Sequence, residues 1–551
     1  MNTNASATWT QKQKEREKTL RQMKKGKAKD YAGFFSKRIY GAILIVAIAL
    51  PLVALGAYFY QQHAVNSELE VSGNIITVKA GGDFQAALNR AKAGDTIVLQ
   101  AGAKYVGAFV LPNKTGNEFI TIQSSELAKL PEDGKRVSPQ DAALMPKIMS
   151  SGKGESAVKT APSAHHYRFV GIEFAPDSKD YIYNLVALGS DKQTAREMPH
   201  DIEIDRCYLH PNPNGKTRRG IALNDADTVI KNSYLAGFAY KEEETQAIAG
   251  WNGSGGYKII NNYIEAGAEN ILFGGADPSI VNLVPTDIEI RNNLMTKPLE
   301  WRGRVTIKCT FELKNAKNVR IIGNIIENSF DENVIRITVR NQDGAAPWSV
   351  IEDVTMQNNL IRNGGGGILF LGADDGNKSA TMKRVKIINN LFTKIEKTSA
   401  GADGRFITIA DGEDVQLENN TVLSEGNIIT AHRAPSRRFI FRNNIVSFNE
   451  YGFNGGNGEA MKQIFSTYFL DGTITNNLIV NGKHIPKSDI YIPPRNFFAD
   501  DFKDVGFVNL QDGNYRLAPN SKFKNKGANG KDLGADIDQI EAEIRKAQKN
   551  L

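Results

Sequence analysis

The chain has 551 residues, 41% hydrophobic and 23% charged, too apolar for a disordered polymer and long enough for several domains or one long repeat array. Two cysteines, Cys207 and Cys309, exclude a disulfide-built scaffold and a four-cysteine zinc centre. The formal charge of +7 is lopsided: residues 1–38 carry 11 Lys/Arg against 3 Asp/Glu, whereas the body after residue 60 carries 57 basic and 58 acidic side chains, which removes the footprint of a nucleic-acid-binding body.

Residues 1–38 read as a basic cytoplasmic tail. Residues 39–60, IYGAILIVAIALPLVALGAYFY, hold no charged side chain and 11 Ile, Leu, Val or Phe. As a helix this stretch spans about 33 Å, enough for a bilayer core of about 30 Å. It reads as a signal-anchor helix crossing the cytoplasmic (inner) membrane once. A cleaved signal peptide is the alternative, with Ala54-Leu55-Gly56 at the cleavage site, but its leading segment and apolar core would both be long. Lysines and arginines before the span place the N-terminus in the cytoplasm and the body in the periplasm or outside the cell. Residues 61–75 are a linker or a first strand.

Gly82 to Ala91 then reads as a short helix with Asp83 as its N-cap, followed by the strand-like AGDTIVLQAG at 93–102. From there one motif recurs: a short apolar alternation, an Asn pair, and another short apolar stretch. It stands as YKIINNYI (257–264), IEIRNNLM (288–295), VRIIGNII (319–326), VTMQNNLI (354–361), VKIINNLF (385–392), VQLENNTV (415–422), FIFRNNIV (439–446) and TITNNLIV (473–480), with weaker copies at 167–174, 202–209 and 228–235. The second residues of the pairs are 24 to 35 apart. A period near 30 with two-residue alternation predicts an all-β solenoid, a single-stranded right-handed parallel β-helix over residues 76–534. Stacked Asn side chains pass amide hydrogen bonds from coil to coil, so these Asn belong to the architecture. Unequal spacing means unequal turns, and the longer ones can wall a groove. Residues 535–551 have helical periodicity, and a helix there is expected to cover the last coils.

Charged residues on the outer face are the candidate site. In Thr310–Lys314, Phe311 and Leu313 alternate inward and leave Glu312 and Lys314 outward; in Val334–Arg340, Arg336, Thr338 and Arg340 are outward. Arg336 lies 24 residues after Glu312, about one coil, so Glu312, Lys314 and Arg336 come within reach of one sugar. The competing reading is a solvated charge ladder. A second cluster is Gln246, Trp251, Asn252, Glu269, Asn270 and Asp277: Trp251 can stack on a sugar ring, and Glu269 with Asp277 can serve as paired carboxylates for glycoside hydrolysis. Asp374-Asp375 and Asp403 lie in turn sequences, with calcium as the second reading. The seven His show no metal spacing, and none is assigned to a metal.

The segments at 247–280, 297–303 (KPLEWRG), 311–324 (FELKNAKNVRIIGN) and 339–359 resemble bacterial right-handed parallel β-helix repeat proteins of the pectin-lyase-like superfamily, over most of residues 75–540. The resemblance implies the solenoid fold and an activity among polysaccharide lyases, glycoside hydrolases and epimerases, or a non-catalytic surface role. The run Lys314, Asn318-Val319, Gly323-Asn324 and Arg336 is also similar to the catalytic neighbourhood of chondroitinase B and related alginate lyases, which implies Lys314 as base and Arg336 as acid. Those enzymes have calcium-binding acids five and seven residues before the lysine, where this chain has Cys309 and Ile307. The leading expectation is a membrane-anchored extracytoplasmic protein that binds or modifies a polysaccharide, by lysis of a uronate-containing glycan. The alternative is a non-catalytic structural or adhesive protein of the bacterial envelope.

Overall fold

The computed structural model describes residues 69–457, 459, 461–481 and 491–548. The basic tail and the apolar segment 39–60 lie outside the described residues; no helix among the described residues is long and apolar enough to cross a membrane.

Each coil of the body starts with a strand that ends on the Asn pair. In the strand Lys258–Ile260 the chain runs straight, then Asn261 takes a left-handed φ of +55° and Asn262 leads into Tyr263–Ala266. Asn tolerates that backbone where a β-branched residue would not, which is why the pair opens with Asn at 261, 292, 358, 389, 419, 443 and 476. The first strands of successive coils form a 17-stranded sheet, and the second and third strands a 24-stranded sheet round the other two sides. Among the described strands pairing is parallel except in the N-terminal hairpin Leu69–Ser72 with Ile75–Val78 and the short pair Phe507–Asn509 with Asn514–Leu517. The parallel β-helix read from the repeat is therefore the fold. Part of the segment read as linker is its first strand.

Two interior features hold the coils in register. Ile259, Ile290, Ile321, Met356, Ile387, Leu417 and Phe441 are each paired with the next and fully buried. Burying such side chains contributes about 1.5–3 kcal/mol each. Beside this column runs the amide ladder. The backbone N–H and side-chain Nδ2 of Asn262 both donate to Asn293 Oδ1, at 2.9 and 3.0 Å, and Asn293 Nδ2 donates to the Ile259 carbonyl at 2.8 Å. The same pattern links Asn293, Asn324, Asn359, Asn390, Asn420, Asn444 and Asn477. It extends past the repeats to Asn496, only 19 residues on. At the other end Ser233 and Cys207 continue the column, with the Cys207 N–H donating to Ser233 Oγ.

The helix Phe84–Arg90 forms as expected, with Asp83 accepting from the Ala86 N–H and Phe84 packed edge-on against Phe109. The C-terminal helix, Ile537–Gln548, does not cover the last coils. It runs back along the side of the solenoid, where Ile537, Ile540 and Ile544 pack with Leu294, Ile325 and Leu391. Its ends are tied to the left-handed Asn column. The Asp536 N–H donates to Asn389 Oδ1, Asn292 Nδ2 donates to the Glu543 carbonyl, and buried Arg136 bridges the Ala547 carbonyl to Asn261. Twelve helical residues span about 18 Å. The four coil steps from 389 back to 261 span about 19 Å at the strand spacing. The helix therefore fits the distance it bridges. Its closeness also explains the one break in the strong repeats, Gly323: a Cβ there would meet Glu543 Cβ at 2.9 Å and Asn292 Nδ2 at 2.7 Å.

Candidate functional site

The third strands of four successive coils position the charged group. Gln246 pairs with Glu269, and Glu312 pairs directly with Arg336 on the following coil. Phe311, Leu313, Ile335, Ile337 and Val339 are fully buried in the core, which leaves Glu312 and Arg336 on the opposite face. That face is not open: Glu312 is only 2% exposed and Glu269 is fully buried.

Lys308 is the centre of the group. Its Nζ lies 2.8 Å from Glu269 Oε1 and 3.0 Å from Glu312 Oε2, and 3.5 Å from Glu244. Lys314 Nζ lies 3.7 Å from Glu312. Gln246 Nε2 donates to Glu269 at 2.8 Å, and Arg336 donates to Glu332 at 2.5 Å. On the coil before Gln246, the Arg219 guanidinium stacks over the Trp251 ring at 4.6 Å. Sequence reasoning missed Lys308. The outward alternation of Glu312, carried back four residues, reaches it, but Lys308 precedes the strand Phe311–Leu313, where alternation is no guide.

The two buried carboxyls are driven apart. Burial pushes Glu269 up, but the Lys308 ammonium and the Gln246 amide reverse this and hold it below the ordinary carboxylate range. For Glu312 burial prevails over Lys314 and Lys308, and the Glu269 charge adds to it, so its carboxyl sits above that range. Burial opposes the Lys308 charge, but the two carboxylates raise its pKa. The Arg336 pKa is likewise raised against burial, by Cys309, Glu332 and Glu312. Around this group several buried polar atoms have no hydrogen-bond partner among the described residues: Gln246 Oε1, Arg219 Nε and Arg336 Nε. Unpaired buried donors and acceptors are rare in folded proteins, so such a concentration marks where a polar ligand or ordered water belongs.

The other expected residues lie elsewhere. Asn270, expected at the substrate, is fully buried. Its Nδ2 donates to the Ile264 and Thr296 carbonyls, and its Oδ1 accepts from the buried Lys297 ammonium at 2.9 Å. Asn252 is likewise internal, donating to the Ser190 carbonyl. The Asp277 carboxylate accepts from the Asp343 and Ala345 N–H groups, so it anchors a loop and is not brought together with Glu269. Arg340 is paired with Asp375.

Calcium fits none of the residues considered for it. Asp374 accepts from the backbone N–H groups of Asn341, Gly376 and Asn377, and Asp403 pairs with Arg405. Glu269, Cys309 and Glu312 do offer ligand atoms within 4.8 Å of one another. However, the thiol is a soft ligand unsuited to a hard cation, and Lys308 already bridges the two carboxylates.

No family model and no curated protein sequence matches the chain. Solved structures do. The PL6 family alginate lyase AlyGC is 13% identical over 84% of this chain, with a TM-score of 0.48, and the match spans 58% of that longer chain. The PL6 family polysaccharide lyase Pedsa3628 from Pseudopedobacter saltans is 13% identical over 77% of this chain and 97% of its own, with a TM-score of 0.45. The periplasmic alginate epimerase AlgG is 12% identical over 75% of this chain and 80% of its own, with a TM-score of 0.32. At these identities the likeness concerns the fold alone.

Proposed function

We propose that this protein binds and cleaves a uronate-containing polysaccharide by β-elimination at the Lys308–Glu312–Lys314–Arg336 row. The observation that carries the reading is the set of buried, unpartnered polar atoms beside a carboxyl whose proton is held above the ordinary range. β-Elimination removes the proton next to the uronate carboxylate, stabilises the resulting enolate and protonates the leaving oxygen. Arg336, with its charge reinforced, suits enolate stabilisation better than the acid role implied by resemblance. Glu312 suits protonation of the leaving oxygen. Lys314 Nζ, 3.7 Å from Glu312, is the group assigned as base, a role that requires it to give up its own proton first. Trp251 and Arg219 extend the row toward a neighbouring sugar. The segment 39–60 would tether this activity to the cytoplasmic membrane, with the body outside the cytoplasm.

The test is incubation of the purified full-length chain with alginate, pectate and glycosaminoglycans, following the ultraviolet absorbance of unsaturated products. The expected result is product from at least one polymer, lost in Arg336→Ala. No product from any uronate polymer would end the lyase reading. Binding without cleavage is the second reading, favoured by the fact that Lys308 and Arg336 each already face a carboxylate. It predicts retention on an immobilised polymer with no absorbance change.

A further inference from the structure

A second group of side chains gathers on the 17-stranded sheet, apart from the charged row on the other sheet. His165 and His200 are register partners on neighbouring coils, and their rings stack with centroids 4.9 Å apart and planes 4° apart. His166 and Asp201 both have left-handed backbones, at φ +56° and +54°, which break the strand alternation and bring consecutive side chains to the same side. Asp201 Oδ2 lies 2.7 Å from His200 Nδ1 and 3.9 Å from His166 Nε2. Sequence spacing could not reveal this group, because its members come from successive coils, the register partners His165 and His200 being 35 residues apart.

His165 Nδ1 and His166 Nδ1 are 2.8 Å apart, so one ring donates to the other through a single proton between them. The other ring nitrogen, His166 Nε2, faces Asp201 Oδ2 at 3.9 Å. A metal on Nε2 would leave the His166 Nδ1–H to donate to His165 Nδ1, the kind of outer partner that orients a metal-binding histidine.

The spacing also fits. A tetrahedral site with bonds of about 2.0–2.1 Å needs ligand atoms about 3.3 Å apart. Asp201 Oδ2 and His200 Nδ1 share a hydrogen bond at 2.7 Å, whose proton a metal would replace, and the three ligand atoms lie within 4.8 Å of one another, close enough to close round one ion. Asp201 also lines a cavity of about 390 Å³ with Asp227, Asp287 and Glu289, whose carboxylates outnumber the Lys258 and Arg320 cations there. The local field thus favours a cation, and a pair of imidazoles selects a borderline transition metal over calcium or magnesium.

We infer that His166, His200 and Asp201 bind a divalent transition-metal ion of the zinc class, with water completing the coordination. The site is independent of the polysaccharide reading. The test uses the untagged full-length chain, stripped with a chelator and dialysed against zinc, with bound metal quantified; cobalt substitution reports the geometry through its visible absorption. One zinc per chain and a tetrahedral cobalt spectrum are expected. Asn tolerates left-handed backbone, so His166→Asn and Asp201→Asn keep the local fold while removing or weakening a ligand. Both should bind zinc at least about tenfold more weakly, whereas His432→Asn should bind like the parent. His200→Gln, at an ordinary backbone position, decides the matter if either variant melts early by circular dichroism. Zinc uptake no greater than that of the His166→Asn/Asp201→Asn double variant, or equal binding by the parent and His200→Gln, would overturn the inference.

Discussion

The Asn ladder and the charged row both bury polar groups, yet they differ in how completely those groups are paired. In the ladder each amide accepts two hydrogen bonds from the coil before it and donates in turn, as Asn293 does between Asn262 and Ile259. In the row, Gln246, Arg219 and Arg336 keep buried atoms unpartnered, and two carboxyls share one lysine. Buried polarity that closes on itself fixes register. Buried polarity with valences left over is where a ligand can enter.

Mutation can separate the two kinds of polarity. The largest effect is expected from Lys308→Met, which strands two buried carboxylates and should destabilise the fold by about 3–5 kcal/mol in denaturant titration at neutral pH. The loss should shrink in acid as the carboxyls take up protons. Unchanged stability would place Lys308 outside the row. Arg336→Ala should lower lyase turnover by about 100-fold or more with the melting temperature nearly kept. Asn293→Ala should do the reverse: it leaves a buried N–H without an acceptor and should cost about 2–3 kcal/mol while sparing activity in whatever remains folded. Gly323→Ala should cost about 1 kcal/mol, from its left-handed φ of +65° and the crowding by Glu543, with faster hydrogen exchange in residues 537–548.

The pH dependence sharpens the contrast between the two carboxyls. The Glu269 pKa is depressed in the fold, so its stabilisation is present above the unfolded carboxyl value and is lost as pH falls through its lower folded value. The Glu312 pKa is raised, so its contribution is greatest in acid and declines as pH rises from the unfolded value through the folded one. Glu312→Gln should therefore flatten the decline in stability as pH rises above the unfolded carboxyl value, and should lower lyase turnover at every pH because an amide gives the leaving oxygen no proton. Unchanged turnover would mean that Glu312 does not supply the proton.

The solenoid was legible because its signal is local and repeated. Two-residue alternation and a recurrent Asn pair need no tertiary knowledge, and the same alternation set the pairing of Glu312 with Arg336 one coil on. Features that depend on lateral neighbours were not legible. Asn270 follows Glu269 in sequence, but its amide is buried and accepts from the Lys297 ammonium, a partner 27 residues on. The docking of the C-terminal helix rests on contacts between residues 251 apart, such as Asn292 with Glu543, which no periodicity records. Asn496 escaped because its spacing of 19 falls outside the repeat.

That helix has a mechanical consequence. In an ordinary stack each coil touches only its neighbours, so it can fray from either end, one lap at a time. A rod laid lengthwise across the middle laps works like a splint: none of them can peel away until the rod has lifted off all of them. The catalytic row proposed above spans laps beneath that splint, from Glu269 to Arg336, so the part of the molecule that must hold its geometry most closely is also the part that unravels last.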